Sequence, residues 1–80
     1  MNATIITLAR RSAIRAVERD IRAQGLRVTS VERRLIVAAA NAYLREHPEL
    51  IEDAAKTVRK VPELRTLAER EERQGRRNQR

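Results

Sequence analysis

Apolar residues return along this chain at helical spacing. Ile14, Val17 and Ile21 form one such series, and Leu50, Ile51, Ala54, Ala55, Val58 and Val61 form another. Between them, Leu35 to Leu44 reads LIVAAANAYL, apolar at every position except Asn41. A surface helix normally carries one apolar stripe and one polar face. Here the polar residues Arg34, Asn41 and Arg45 fall on one narrow strip, so the pattern predicts a buried central helix that its neighbours cover on every other side.

Punctuation divides the rest into helices. The first is expected from about Thr7 to Gln24, stopped by Gly25, which takes a left-handed C-terminal conformation most easily. Thr29 and Glu32 have the spacing of a capping box, which would open the central helix. That helix ends at Glu46-His47 because Pro48 cannot continue it. Pro48 suits the first position of a third helix, with Glu49, Glu52 and Asp53 near its positive end. Pro-Glu-Leu at 48–50 recurs at 62–64, so Pro62 starts a fourth helix by the same chemistry, reaching about Arg73 and offering Leu64, Leu67 and Ala68 for packing. The expectation is an all-α fold: a small bundle of about four helices around a central apolar helix. Residues 1–73 form a single helical domain, and 74–80 (QGRRNQR, without an apolar residue) form a disordered basic tail.

Composition limits how well such a bundle can hold together. The chain has 80 residues with no Trp or Phe, one Tyr, one Met and twelve alanines. Leu35, Ile36, Ala39, Tyr43 and Leu44 are the expected core, met by Ile14, Val17, Ile21, Leu50, Ile51, Val58 and Val61. At roughly 25 cal/mol per Å² of buried apolar surface, alanines contribute little each. A homodimer is therefore expected to complete the core. Cysteine is absent, which excludes disulfides and thiolate metal sites and fits a cytoplasmic protein. No apolar run approaches the ~20 residues of a membrane span. Residues 1–17 are amphipathic, arginine-bearing and free of acids, as in transit peptides, but the helical periodicity runs on through Glu18 and Asp20.

Charge carries the functional signal. The net charge is +7, concentrated in residues 1–34 and in the last eight residues, while the middle of the chain is neutral. Arg11, Arg15, Arg19 and Arg22 step by four, four and three, a stripe about 80° wide on the first helix. Guanidiniums one turn apart, ~5–6 Å, approach the ~7 Å spacing of phosphates along a strand. All the basic residues except Lys56 and Lys60 are Arg, which favours bidentate contacts to phosphates and base edges. Nucleic acid, DNA or RNA, is the expected partner, bound by this stripe with Arg73, Arg76, Arg77 and Arg80 of the tail. The competing expectation is a protein-interaction module or inhibitor that docks the same basic face on an acidic protein. The lack of aromatics weighs against single-strand stacking platforms.

Chemistry finds no foothold. His47 is the only histidine, and Glu46, His47 and Glu49 are too close in sequence to converge readily on one metal ion. Ser12 and Ser30 have no histidine near them in sequence. The only glycines, Gly25 and Gly75, make no phosphate loop. The pairs Glu52-Asp53 and Glu71-Glu72 point to different faces of a helix. A non-enzymatic protein is expected, with no cofactor, no metal and no membrane contact.

Two resemblances bear on this. ARRSAIRAVERDIRAQG, VERRLIVAAANAYL and REHPELIEDA, spanning Leu8 to Ala54, resemble a group of small alphaproteobacterial helical proteins of unknown function. These share a basic first helix, a Gln-Gly turn, an A-x-x-Y-L helix and an H-P-E-L-I start, and imply no activity. The order TIITL, helix, Gly25, then a helix ending in Tyr43-Leu44 is similar to ribbon-helix-helix repressors and antitoxins. That likeness implies a dimer inserting a two-stranded ribbon, here Thr4 to Leu8, into the major groove. The chain departs from that pattern in its longer second helix, in Arg10-Arg11 following the strand without a turn, and in the helices begun by Pro48-Glu49-Leu50.

Overall fold

The structure, a computed structural model, describes residues 2–78, with side chains described through residue 75. Four α-helices follow one another: α1 (Ala3–Ala23), α2 (Arg33–Glu46), α3 (Glu49–Lys60) and α4 (Pro62–Asn78), with one 3₁₀ turn, Val28–Ser30, before α2. The all-α bundle is thus in place, without a strand among the described residues.

Local chemistry sets most of the boundaries. Gly25 has φ 80°. Its N–H donates to Arg22 O at 2.9 Å and that of Leu26 to Ile21 O at 3.2 Å, the paired bonds of a Schellman ending. α2 stops at Glu46, where the His47 N–H makes a last bond to Tyr43 O before Pro48. Pro48 sits one place earlier than expected, as the N-cap of α3 rather than its first residue. Pro62 opens α4 as expected.

Two helix starts differ from expectation. α1 begins at Ala3, a turn before Thr7, because Asn2 caps it: its Oδ1 accepts from the Thr4 N–H at 2.9 Å. Glu71 Oε2, on α4, accepts from the same N–H at 2.9 Å, and Asn2 Nδ2 donates to Ala68 O at 2.8 Å. The positive end of α1 carries no acid of its own first turn, so α4 supplies one through space. The Thr29–Glu32 capping box does not form. Thr29 lies in the 3₁₀ turn, Glu32 is itself the N-cap, and its carboxylate takes Arg34 Nε at 2.6 Å instead of a backbone N–H.

The helix at the centre is α1. It packs against α2, α3, α4 and the 3₁₀ turn, whereas α2 packs chiefly on α1 alone. The buried residues are Ala9, Ala13, Ile36, Ala40, Ala54, Val58 and Ala68, mostly alanines, which let helices approach closely. Of the expected core, Ile36 and Val58 are buried. Tyr43, Leu44, Ile14, Val17, Ile21, Leu50, Ile51 and Val61 are half-buried. Leu35 is 54% exposed and Ala39 is exposed, so Leu35 to Leu44 is not covered all round. The physical reason is that its middle is alanine, the best helix former and the one that loses least when left in water.

The ribbon implied by the repressor likeness is absent, since Thr4 to Leu8 lies inside α1. Of the segment expected as a tail, residues 74–78 have helical backbone at the end of α4, and residues 79 and 80 lie outside the described residues. From Glu72 to Gly75 every residue is exposed, so this stretch of α4 does not pack onto the bundle.

Candidate nucleic-acid interface

The position of α1 decides which of its faces stays free. Ala9 and Ala13, fully buried, mark the side turned to the other helices, with Ile6 and Val17 half-buried beside them. At 100° per residue, the stripe of Arg11, Arg15, Arg19 and Arg22 is centred roughly 140° round from that side. All four arginines are exposed. They extend along about 16 Å of helix at 1.5 Å per residue.

Electrostatically the stripe is open. The ion pairs among the described residues are Arg34 Nε–Glu32 Oε2 at 2.6 Å and His47 Nδ1–Glu49 Oε1 at 2.9 Å. None involves the four α1 arginines. Glu18 lies on the flank of the stripe, half-buried and outside ion-pair distance of any of them, while Asp20 falls on the opposite side of the helix. Arg10 is exposed too, but well round from the stripe.

The tail arginines are not brought to this face by anything the structure describes. Arg73 is exposed on α4. Arg76 and Arg77 have helical backbone, and Arg80 lies outside the described residues.

Of His47, Glu46 and Glu49, only His47 and Glu49 are brought together, with Tyr43 as the third member. The His47 ring stacks on Tyr43, one turn earlier on α2, with centroids 4.1 Å apart and planes at 27°. Its Nδ1 faces Glu49, at the start of α3. The Glu49 carboxyl is held below the usual carboxylate range, first by a backbone N–H at that helix start and then by the His47 ring. Tyr43, His47 and Glu49 thus join the end of α2 to the start of α3. No group of three or more His, Cys, Asp or Glu among the described residues is placed to hold a metal ion. None of the described helices is long and apolar enough to cross a membrane.

Sequence reasoning located the stripe because charge and period suffice for that. It missed the clasp at the head of α1, where Glu71 accepts from the Thr4 N–H across 67 residues of chain. An asparagine before a helical run was the readable half of that signal; the glutamate had none. No protein-family model matches the chain, and no curated protein or solved structure was found to be similar to it.

Proposed function

We propose that this is a non-enzymatic nucleic-acid-binding protein whose α1 arginines grip the phosphate backbone. The observation that carries the reading is the row of four exposed guanidiniums on one helix face, none of them held by a carboxylate. An arginine already in an ion pair must break it before meeting a phosphate; these four need only shed water and counterions. Release of condensed counterions then drives association without regard to sequence. A straight helix diverges from a curved strand beyond a few phosphates, so α1 alone supports weak, sequence-tolerant binding. Arg73, Arg76 and Arg77 of α4 would extend the contact, together with Arg80. A homodimer in the cytoplasm belongs to the same proposal.

Mixed-sequence duplex DNA and RNA, titrated at two salt concentrations, test it. Affinity should fall as salt rises, with a logarithmic slope of about −3 to −4 if four phosphates of a duplex are neutralised. Replacing Arg11, Arg15, Arg19 and Arg22 together by Ala should remove most of that binding and flatten the slope while circular dichroism stays helical. Deleting residues 76–80 should weaken binding less. If the parent protein binds neither nucleic acid at low salt, the reading fails and an acidic protein becomes the partner to seek.

A further inference from the structure

We propose that the α1 face takes double-stranded nucleic acid, DNA or RNA alike, in preference to single strands. The inference rests on the α1 arginines gripping phosphates, and adds which form of nucleic acid they select. A single strand is held by a groove that tracks its backbone and by flat side chains on which its unpaired bases stack. Each stacked base typically adds roughly tenfold or more in affinity. The α1 face offers neither device. Its free arc, about 140° wide from Thr7 round to Ser12, carries the four arginines with the half-buried Thr4, Leu8 and Glu18 between them. All four arginines are exposed on the convex side of a helix, so they line no groove.

The aromatic rings of the chain are placed elsewhere. Tyr43 is the one residue among Phe, Trp and Tyr, and its ring stacks on His47 with centroids 4.1 Å apart. Both residues are half-buried and belong to the α2–α3 junction, not to the α1 face.

What remains is charge, and charge favours the duplex. Because α1 is held by α2, α3 and α4, the arginine row keeps its length and spacing. A duplex, stiff over ~50 nm, presents phosphates already in fixed positions. A flexible single strand loses chain entropy to lay four of them along the row. The duplex also carries one charge per ~1.7 Å of axis against ~3.4 Å for one strand, and releases ~0.9 counterions per phosphate neutralised against ~0.7. For four phosphates, with both ligands equal at about 1 M salt, duplex binding is then about tenfold tighter at about 50 mM and about fourfold tighter at about 200 mM. Sugars and base edges take no part, so duplex DNA and duplex RNA share the site.

Fluorescence anisotropy with the full chain tests this. The probes are a mixed-sequence duplex of about 20 base pairs, as DNA and as RNA, and an oligothymidine of about 20 nucleotides, which forms no duplex of its own. Both duplexes should bind about tenfold tighter than oligothymidine at about 50 mM salt, within about threefold of each other, and the preference should narrow to about fourfold at about 200 mM. Replacing Arg11, Arg15, Arg19 and Arg22 together by Lys keeps the charge and removes the flat guanidinium planes. Duplex affinity should then change by less than about fivefold, with the same salt slope. Oligothymidine bound as tightly as duplex, or a preference that does not narrow with salt, would overturn the selection of duplex and leave the phosphate reading standing. A larger loss in the Lys protein would mean that planar contacts to bases carry the binding, and a larger gap between the two duplexes that their sugars or grooves are read; either overturns the inference. Binding of none of the three probes would overturn it together with the phosphate reading.

Discussion

Ala9 and Ala13 are fully buried while Leu35 is about half open to water, so at these positions size and burial run opposite to the usual order. Each buried alanine contributes little apolar area, but each fixes a point where two helices come close. A larger side chain there cannot be absorbed by rotamer change. Ala13→Arg should therefore cost more than about 4 kcal/mol and abolish cooperative unfolding in a domain of this size. Ala39→Arg, on the open face of α2, should change monomer stability by less than about 0.5 kcal/mol. Urea melts of the two variants at low concentration separate these outcomes, and equal losses would mean the two alanines share one environment. Gly25, at φ 80°, is a third point of control. Gly25→Ala has free space for its methyl group, yet should lose about 1 kcal/mol because the left-handed backbone is strained for it.

Among the elements, the ends fixed by covalent geometry were legible in the sequence. Gly25 ends α1, and Pro48 and Pro62 separate α2, α3 and α4, because a left-handed glycine and a proline without an N–H act wherever they occur. Ends that depend on a choice of partner were not legible. Glu32 had the spacing to cap α2, but Arg34 took its carboxylate. At the head of α1, Asn2 and Glu71 share the Thr4 N–H, so either can serve it when the other is removed. Asn2→Ala and Glu71→Ala should each cost about 1 kcal/mol, and together more than their sum, since only the double variant leaves that donor without an acceptor. A thermodynamic cycle by urea melts measures the coupling, and strict additivity would show that the two acceptors act independently.

The α2–α3 junction makes its own prediction at this scale. The Glu49 carboxyl titrates below its ordinary range, so its charged form is favoured in the folded state. The corresponding stability is present above the unfolded value of ~4.3 and is lost as pH falls through the lower folded value. Parent protein should lose slightly more stability than Glu49→Gln between pH 5 and pH 3. Parallel pH profiles of the two melting temperatures would refute this. The carboxylate is exposed, so the effect is small and shrinks with added salt.

At the scale of the molecule, the sequence was legible as to fold class and the charged face, but not as to which helix lies in the middle. Periodicity shows that a helix has an apolar side; it does not show how many neighbours that side meets. LIVAAANAYL is the longest apolar run, yet α1, with Ala9 and Ala13, holds the other helices together. The result is elongated, 48 × 28 × 21 Å, with a radius of gyration of 15.0 Å against about 12 Å for a compact chain of this length. The candidate site was legible because arginines at this spacing remain in water; that no carboxylate holds them depends on tertiary placement, which spacing does not encode.

Because α1 joins the other helices, a ligand on its arginine face binds only the folded bundle and should stabilise the whole of it. At a free concentration one hundred times the dissociation constant, binding confined to the folded state contributes about 2.7 kcal/mol. For a domain of this size that corresponds to a rise of roughly 10–20 °C in melting temperature. Duplex nucleic acid at low salt should produce that rise, and high salt should erase it. The Arg11, Arg15, Arg19 and Arg22→Ala protein, altered only at exposed positions, should melt near the parent's temperature alone and show almost no rise with duplex. A full rise in that variant would place the phosphate contacts elsewhere on the chain, and no rise in the parent under saturating conditions would separate binding from the folded α1.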